Sequence, residues 1–109
     1  MSQVVFGPDE TVILSGRGDI EQPIKGNGEL YLTTKRLLLI HKSGLVRKRE
    51  TPLVDIRLDQ LSYAKVEGLL SKVLVLGVTQ PNGTIVTYKI KVPRPDSWLG
   101  AIFRAKQAK

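Results

Sequence analysis

The chain has 109 residues, with 17 Lys plus Arg against 10 Asp plus Glu, a formal charge of +7. That length suits one domain with a proper core, and the charge points to anionic partners, either nucleic acid or an acidic membrane surface. The absence of cysteine excludes disulfides, thiolate zinc sites and a Cys nucleophile. The longest apolar run, Val73 to Val78, falls far short of the roughly 18–20 residues of a membrane span. No basic-then-apolar stretch near Met1 reads as a secretory signal. The expectation is a soluble, single-domain, cytoplasmic protein, peripheral at a membrane if it meets one.

Residues 1–9 read as a flexible arm ended by Gly7-Pro8-Asp9. Thr11 to Ser15 reads as a first strand, Gly16-Arg17-Gly18-Asp19 as punctuation, and Ile20 to Ile24 as a second short extended piece broken by Pro23. Lys25-Gly26-Asn27-Gly28 reads as a turn, because Asn-Gly tolerates positive φ at both central positions of a hairpin. Glu29 to Thr34, Arg36 to His41 and Val46 to Thr51 follow as strands, with Ser43-Gly44 turning the chain between the last two. Leu61 to Val66 is a further strand. Lys72 to Gln80 is apolar on both faces, as a central strand should be. After Pro81-Asn82-Gly83, a second Asn-Gly turn, Thr84 to Val92 alternates with Val86, Tyr88, Ile90 and Val92 inward. About seven strand-like segments with turns between them argue for an antiparallel sandwich or barrel. The period then changes. Pro93-Arg94-Pro95 stops the sheet, and Asp96 or Ser97 can cap a helix to about Gln107. Its apolar face gathers Trp98, Leu99, Ile102, Phe103 and Ala105.

Seven strands followed by one amphipathic helix is the order of the pleckstrin-homology-like (PH-like) superfold, and particular residues carry the resemblance. Gly28-Glu29-Leu30-Tyr31-Leu32-Thr33-Thr34-Lys35-Arg36-Leu37 resembles the G-x-L-Y-L-T-x-x-R-L signature of GRAM, bacterial PH and GLUE domains. In that signature two strands meet in a tight corner, where Thr33 and Thr34 satisfy backbone groups and Arg36 braces. Ser43 to Lys48, with Thr51-Pro52-Leu53 and Asp55-Ile56, is similar to the bacterial PH pattern. Leu58 to Tyr63 followed by Glu67-Gly68-Leu69-Leu70-Ser71-Lys72 resembles the GLUE domain of the ESCRT-II sorting complex. The resemblance covers roughly residues 10–105 and implies one domain over 10–109. It also implies a mainly β fold: a bent two-sheet barrel of about seven antiparallel strands, capped by the C-terminal helix. Phosphoinositide-binding GLUE domains carry an arginine-containing R-S-x-(K/R) stretch after this element. Here only Ser71-Lys72 stands there, so that pocket does not carry over beyond Lys72.

Catalysis finds little support. The single histidine, His41, lacks the second ligand or paired nucleophile that metal or triad chemistry needs. Asp55 and Asp59 bracket Arg57, which suggests ordinary ion pairing, and no nucleotide-binding glycine motif occurs. No enzyme activity and no cofactor are expected. The charge cluster says more. Lys42, Arg47, Lys48 and Arg49 lie on one hairpin, in the K-xn-(K/R)-x-R form used by phosphoinositide-binding PH domains, although those carry it on their first hairpin. The resemblance implies that this loop shares the open end of the barrel with the first and the sixth-to-seventh loops, where Lys25 would join it. Arginine forks hold phosphate bidentately and lysines add point charge. The leading expectation is therefore binding of anionic membrane lipid or phosphoinositide headgroups through Lys42, Arg47, Lys48, Arg49 and Lys72. The bland reading is a solvated hairpin whose charges protect an edge strand. The alternative is a protein-interaction adaptor of the GLUE type, using Leu69, Leu70, Trp98 and Phe103 toward ubiquitin or a sorting-complex subunit. Nucleic acid is disfavoured, because Tyr31, Tyr63 and Tyr88 fall on separate strands and form no stacking platform.

Overall fold

Alternating apolar and polar residues, and continuous apolar runs in the third and sixth strands, build seven antiparallel strands: β1 (Val12–Gln22), β2 (Gly26–Thr33), β3 (Arg36–Ser43), β4 (Arg49–Arg57), β5 (Leu61–Glu67), β6 (Val73–Thr79) and β7 (Ile85–Lys91). A 3-10 turn at Leu58–Gln60 joins β4 to β5, and the helix α1 spans Pro95–Gln107. The structure is a computed structural model and describes residues 6–43 and 49–107.

The strands form one sheet in the order β4-β3-β2-β1-β7-β6-β5. This corrects the expected two-sheet barrel: the strand number and terminal helix are as expected, but the sheet does not close. β4 and β5 are its two free edges, and among the described residues they share no ladder. The reason lies in how the chain crosses between them. Leu58 N–H donates to the Lys35 carbonyl at 3.0 Å, tying the 3-10 turn to the β2–β3 corner. Lys106 of α1 then donates to the Leu61 carbonyl at 2.6 Å, at the start of β5. The helix packs against β1, β2, β5, β6 and the 3-10 turn. Trp98, Ala101, Ile102 and Ala105, spaced for one helical face, complete a core with Leu30, Leu32, Leu37, Leu39, Leu74, Leu76 and Ile90. Phe103, expected on that face, is instead 47 % exposed. The helix starts at Pro95 rather than at a cap on Asp96 or Ser97, because proline suits a first helical position, where no N–H is needed.

Two expected turns in the first half are strand. Gly16 to Asp19 lies inside β1, which pairs with β2 from Val12 to Ile20 and with β7 from Asp19 to Gln22. One long strand thus serves both halves of the sheet. Asn27-Gly28 lies inside β2, with Gly28 opposite Gly18. Glycine is needed there for close approach: the Ile40 carbonyl lies where a Cβ would stand. The hairpin turn falls earlier, at Pro23-Ile24-Lys25. Asn82-Gly83, by contrast, is the turn its sequence suggests: Gly83 has φ 91°, and Asn82 Oδ1 accepts from the Thr84 N–H at 3.0 Å. The expected start of this strand at Val46 lies outside the described residues; from Arg49, β4 runs on through Pro52. Proline is tolerated because β4 is an edge, and a register irregularity sits opposite it between Leu39 and Ile40.

Candidate functional site

The T-x-x-R corner is built from its side chains. Thr33, fully buried, accepts hydrogen bonds at Oγ1 from the backbone N–H groups of Lys35 (3.1 Å) and Arg36 (3.0 Å). Its hydroxyl donates to Glu10 Oε2 at 2.6 Å. Thr34 Oγ1 accepts from the Thr11 N–H. Arg36 donates from Nε to Glu10 Oε2 at 2.9 Å and from Nη1 to Asp55 Oδ2 at 3.0 Å, and its guanidinium lies 5.9 Å from the Phe6 ring centre. Burial alone would raise the Glu10 carboxyl, but hydrogen bonds from Thr33, Arg36 and the Gly7 amide together hold it below the ordinary carboxylate value. Asp55 and Asp59 form no carboxylate pair, since Asp55 takes Arg36 and Asp59 takes Arg57 at 3.3 Å. A cleft of about 700 Å³ opens beside this corner, lined among others by Lys35, Arg57 and Lys106. Glu10 and Asp55 pair with Arg36 and Asp59 with Arg57, which braces the corner, and Lys35 and Lys106 leave the lining with four cations against three carboxylates.

The basic hairpin connects β3 to β4. Lys42 stands at its base, half exposed, with Nζ 3.8 Å from Glu50 across the ladder. Arg49 opens β4 opposite Ser43, while Arg47 and Lys48 lie outside the described residues. Lys42 also lines a cleft of about 330 Å³ with Arg17, Asn27, Gly28, Glu29 and Ile40. His41 is accounted for here: its Nδ1 lies 2.8 Å from the Asn27 carbonyl, which fixes the ring beside the cleft. Sequence reasoning missed Arg17 as a neighbour of Lys42. Its Gly-flanked segment looked like a turn; only the register, with Arg17 opposite Glu29 and Glu29 opposite Ile40, brings it there. In the ladder, the β1–β2 and β3–β4 connections lie at the same end of their strands.

The remaining expected residues scatter. Lys72 lies in the β5–β6 connection, its ammonium 3.5 Å from Asp96 in the first turn of α1. Strands β2, β1 and β7 stand between β3 and β6, so Lys72 and Lys42 do not share one cleft. Leu69 and Leu70 are 96 % and 101 % exposed. Trp98 is buried in the core. Phe103 lines a groove of about 340 Å³ with Leu61, Tyr63, Ala64 and Lys106. Among the described residues no cluster of three His, Cys, Asp or Glu side chains could hold a metal ion, and no helix is long and apolar enough to cross a membrane.

No protein-family model matches this chain, and no curated protein matches it in sequence. Solved structures do match. One is a crystal structure of the DH/PH domains of PDZ-RhoGEF in complex with RhoA activated by GTP-γ-S, with a TM-score of 0.65 at 12 % identity. The match covers 90 % of this chain and 30 % of that one. At that identity the likeness speaks for architecture alone: a β-sheet with a C-terminal helix, resembling a PH domain.

Proposed function

We propose that this PH-like domain is a non-enzymatic binding module for anionic membrane lipid or phosphoinositide headgroups, acting through the β3–β4 hairpin. The observation that carries the reading is the gathering of Lys42, Arg47, Lys48 and Arg49 within eight residues of one connection. At its base, Lys42 faces a cleft that it shares with the exposed Arg17. In this reading Arg47 and Arg49 grip phosphate as bidentate forks. Lys42, Lys48 and Lys72 add longer-range attraction. The ion pair of Lys72 with Asp96 is exposed and that of Lys42 with Glu50 is long, at 3.8 Å, with Lys42 half exposed, so both lysines can turn to a phosphate.

Liposome co-sedimentation tests this. The wild-type chain should pellet with phosphatidylserine- or phosphoinositide-containing vesicles and not with neutral ones, and high salt should release it. With about 1 kcal/mol for each basic residue near an anionic leaflet, Arg47→Glu/Arg49→Glu should weaken binding about thirtyfold or more. A headgroup preference at matched charge would mark a pocket rather than a basic surface. Equal pelleting of wild type and variant would contradict the reading. The alternative, a GLUE-type adaptor for ubiquitin or a sorting-complex subunit, draws on the Glu67 to Lys72 resemblance and on the exposure of Leu69, Leu70 and Phe103. Such docking would survive both salt and the arginine changes, and would fail with Leu70→Asp.

A further inference from the structure

We infer that the Leu69–Leu70 turn between β5 and β6 is an apolar wedge that enters the bilayer when the domain meets an anionic membrane. The inference rests on the membrane reading above and adds a second contact to it. The other large exposed hydrophobics are only 39–53 % exposed, ordinary for a protein surface. Leu69 and Leu70 differ in kind, at 96 % and 101 %. The local backbone makes this a built feature. Gly68 has φ 111°, and the Ser71 carbonyl lies where a Cβ on Gly68 would stand, so the connection folds tightly back on itself and points both leucines outward. At its base, Lys72 lies 3.5 Å from Asp96 in the first turn of α1.

Area and charge decide what the turn meets. Two leucine side chains offer a few hundred Å² at most, against the roughly 1,200–2,000 Å² of a stable protein–protein interface. A bilayer needs no complementary groove, since the headgroup–acyl boundary accepts an apolar tip directly. The stretch from Leu61 to Asp96 that carries the turn holds Lys65, Lys72, Lys89, Lys91 and Arg94 against only Glu67 and Asp96, which suits an anionic leaflet. Binding at a membrane surface grows with buried apolar area and with electrostatic attraction to anionic lipid together. The basic hairpin and this turn supply one each.

The chain has no cysteine, so Leu70→Cys gives a single labelling site for an environment-sensitive fluorophore. On phosphatidylcholine vesicles containing phosphatidylserine and a phosphoinositide, the probe should shift to the blue and brighten about twofold or more, as expected on leaving water for the acyl boundary. Lipids spin-labelled high on the acyl chain should quench it, while the same probe on Gln107→Cys should stay in water. Leu69→Ser/Leu70→Ser should fold as wild type and bind these vesicles about tenfold more weakly. If the protein pellets but the probe at position 70 stays in water, the wedge is wrong while the headgroup reading stands. No pelleting with any vesicle overturns both. Loss of binding to a protein partner in the serine variant, with vesicle binding unchanged, would overturn the wedge in favour of protein docking.

Discussion

Replacing Ile102 with alanine is expected to destabilise the fold by about 3–4 kcal/mol, among the larger costs for removing a buried aliphatic side chain. Ile102 is fully buried, on the helix that packs against β1, β2, β5 and β6. For a domain of this size the loss corresponds to a fall in Tm of about 15–20 °C, read by thermal denaturation followed by circular dichroism. Phe103, the next residue along and 47 % exposed, is the internal control: Phe103→Ala should cost under about 1 kcal/mol. A small effect at Ile102 would mean that the helix does not close the core.

Arg36→Ala should destabilise the domain by about 2 kcal/mol at neutral pH. That is more than an exposed ion pair is worth and less than a fully buried one, since Arg36 keeps partial exposure while the Glu10 carboxylate beneath it is almost covered. The change removes a hydrogen-bonded partner from Glu10, one from Asp55 and the cation above Phe6. Its pH dependence identifies the cause. A carboxyl held below its ordinary value in the folded state takes up its proton at lower pH than the unfolded chain does. Its contribution is therefore complete above about pH 4.5, the ordinary glutamate value, and drains away as pH falls through the lowered folded value. The stability gap between wild type and Arg36→Ala should accordingly be widest near neutrality and narrow below about pH 4.5. A gap constant across that range would assign the loss to packing rather than to charge.

These elements also show how far the sequence could be read. Strand number, the terminal helix and the threonine–arginine corner were legible because each depends on local pattern: alternation, a 3.6-residue stripe, and side chains that reach their own backbone. The partner of Arg36 was not. Glu10 lies 26 positions away, just past the expected arm of residues 1–9, where no local pattern singled it out. The two Asn-Gly pairs make the same point from opposite sides. At Asn82-Gly83 local preference decides, and the turn forms. At Asn27-Gly28 a long-range demand, the passage of the Ile40 carbonyl, uses the same dipeptide inside a strand. Openness of the sheet was equally beyond the sequence, because closure depends on whether two strands far apart in the ladder meet, and no periodicity encodes that. At the candidate site, the basic residues were plain in the sequence. That Arg17 and Asn27 border Lys42 came only from the register, as did the separation of Lys72 from it.

The most direct test of the headgroup reading is an NMR titration of the isotope-labelled chain with a soluble inositol polyphosphate, which carries phosphate but no acyl chain and so leaves the leucine turn silent. Amide shifts should saturate with ligand, cluster on Lys42 to Arg49 with neighbours at Arg17 and Asn27, and vanish in Arg47→Glu/Arg49→Glu. Shifts confined to the Phe103 groove, or none at that hairpin, would contradict the account.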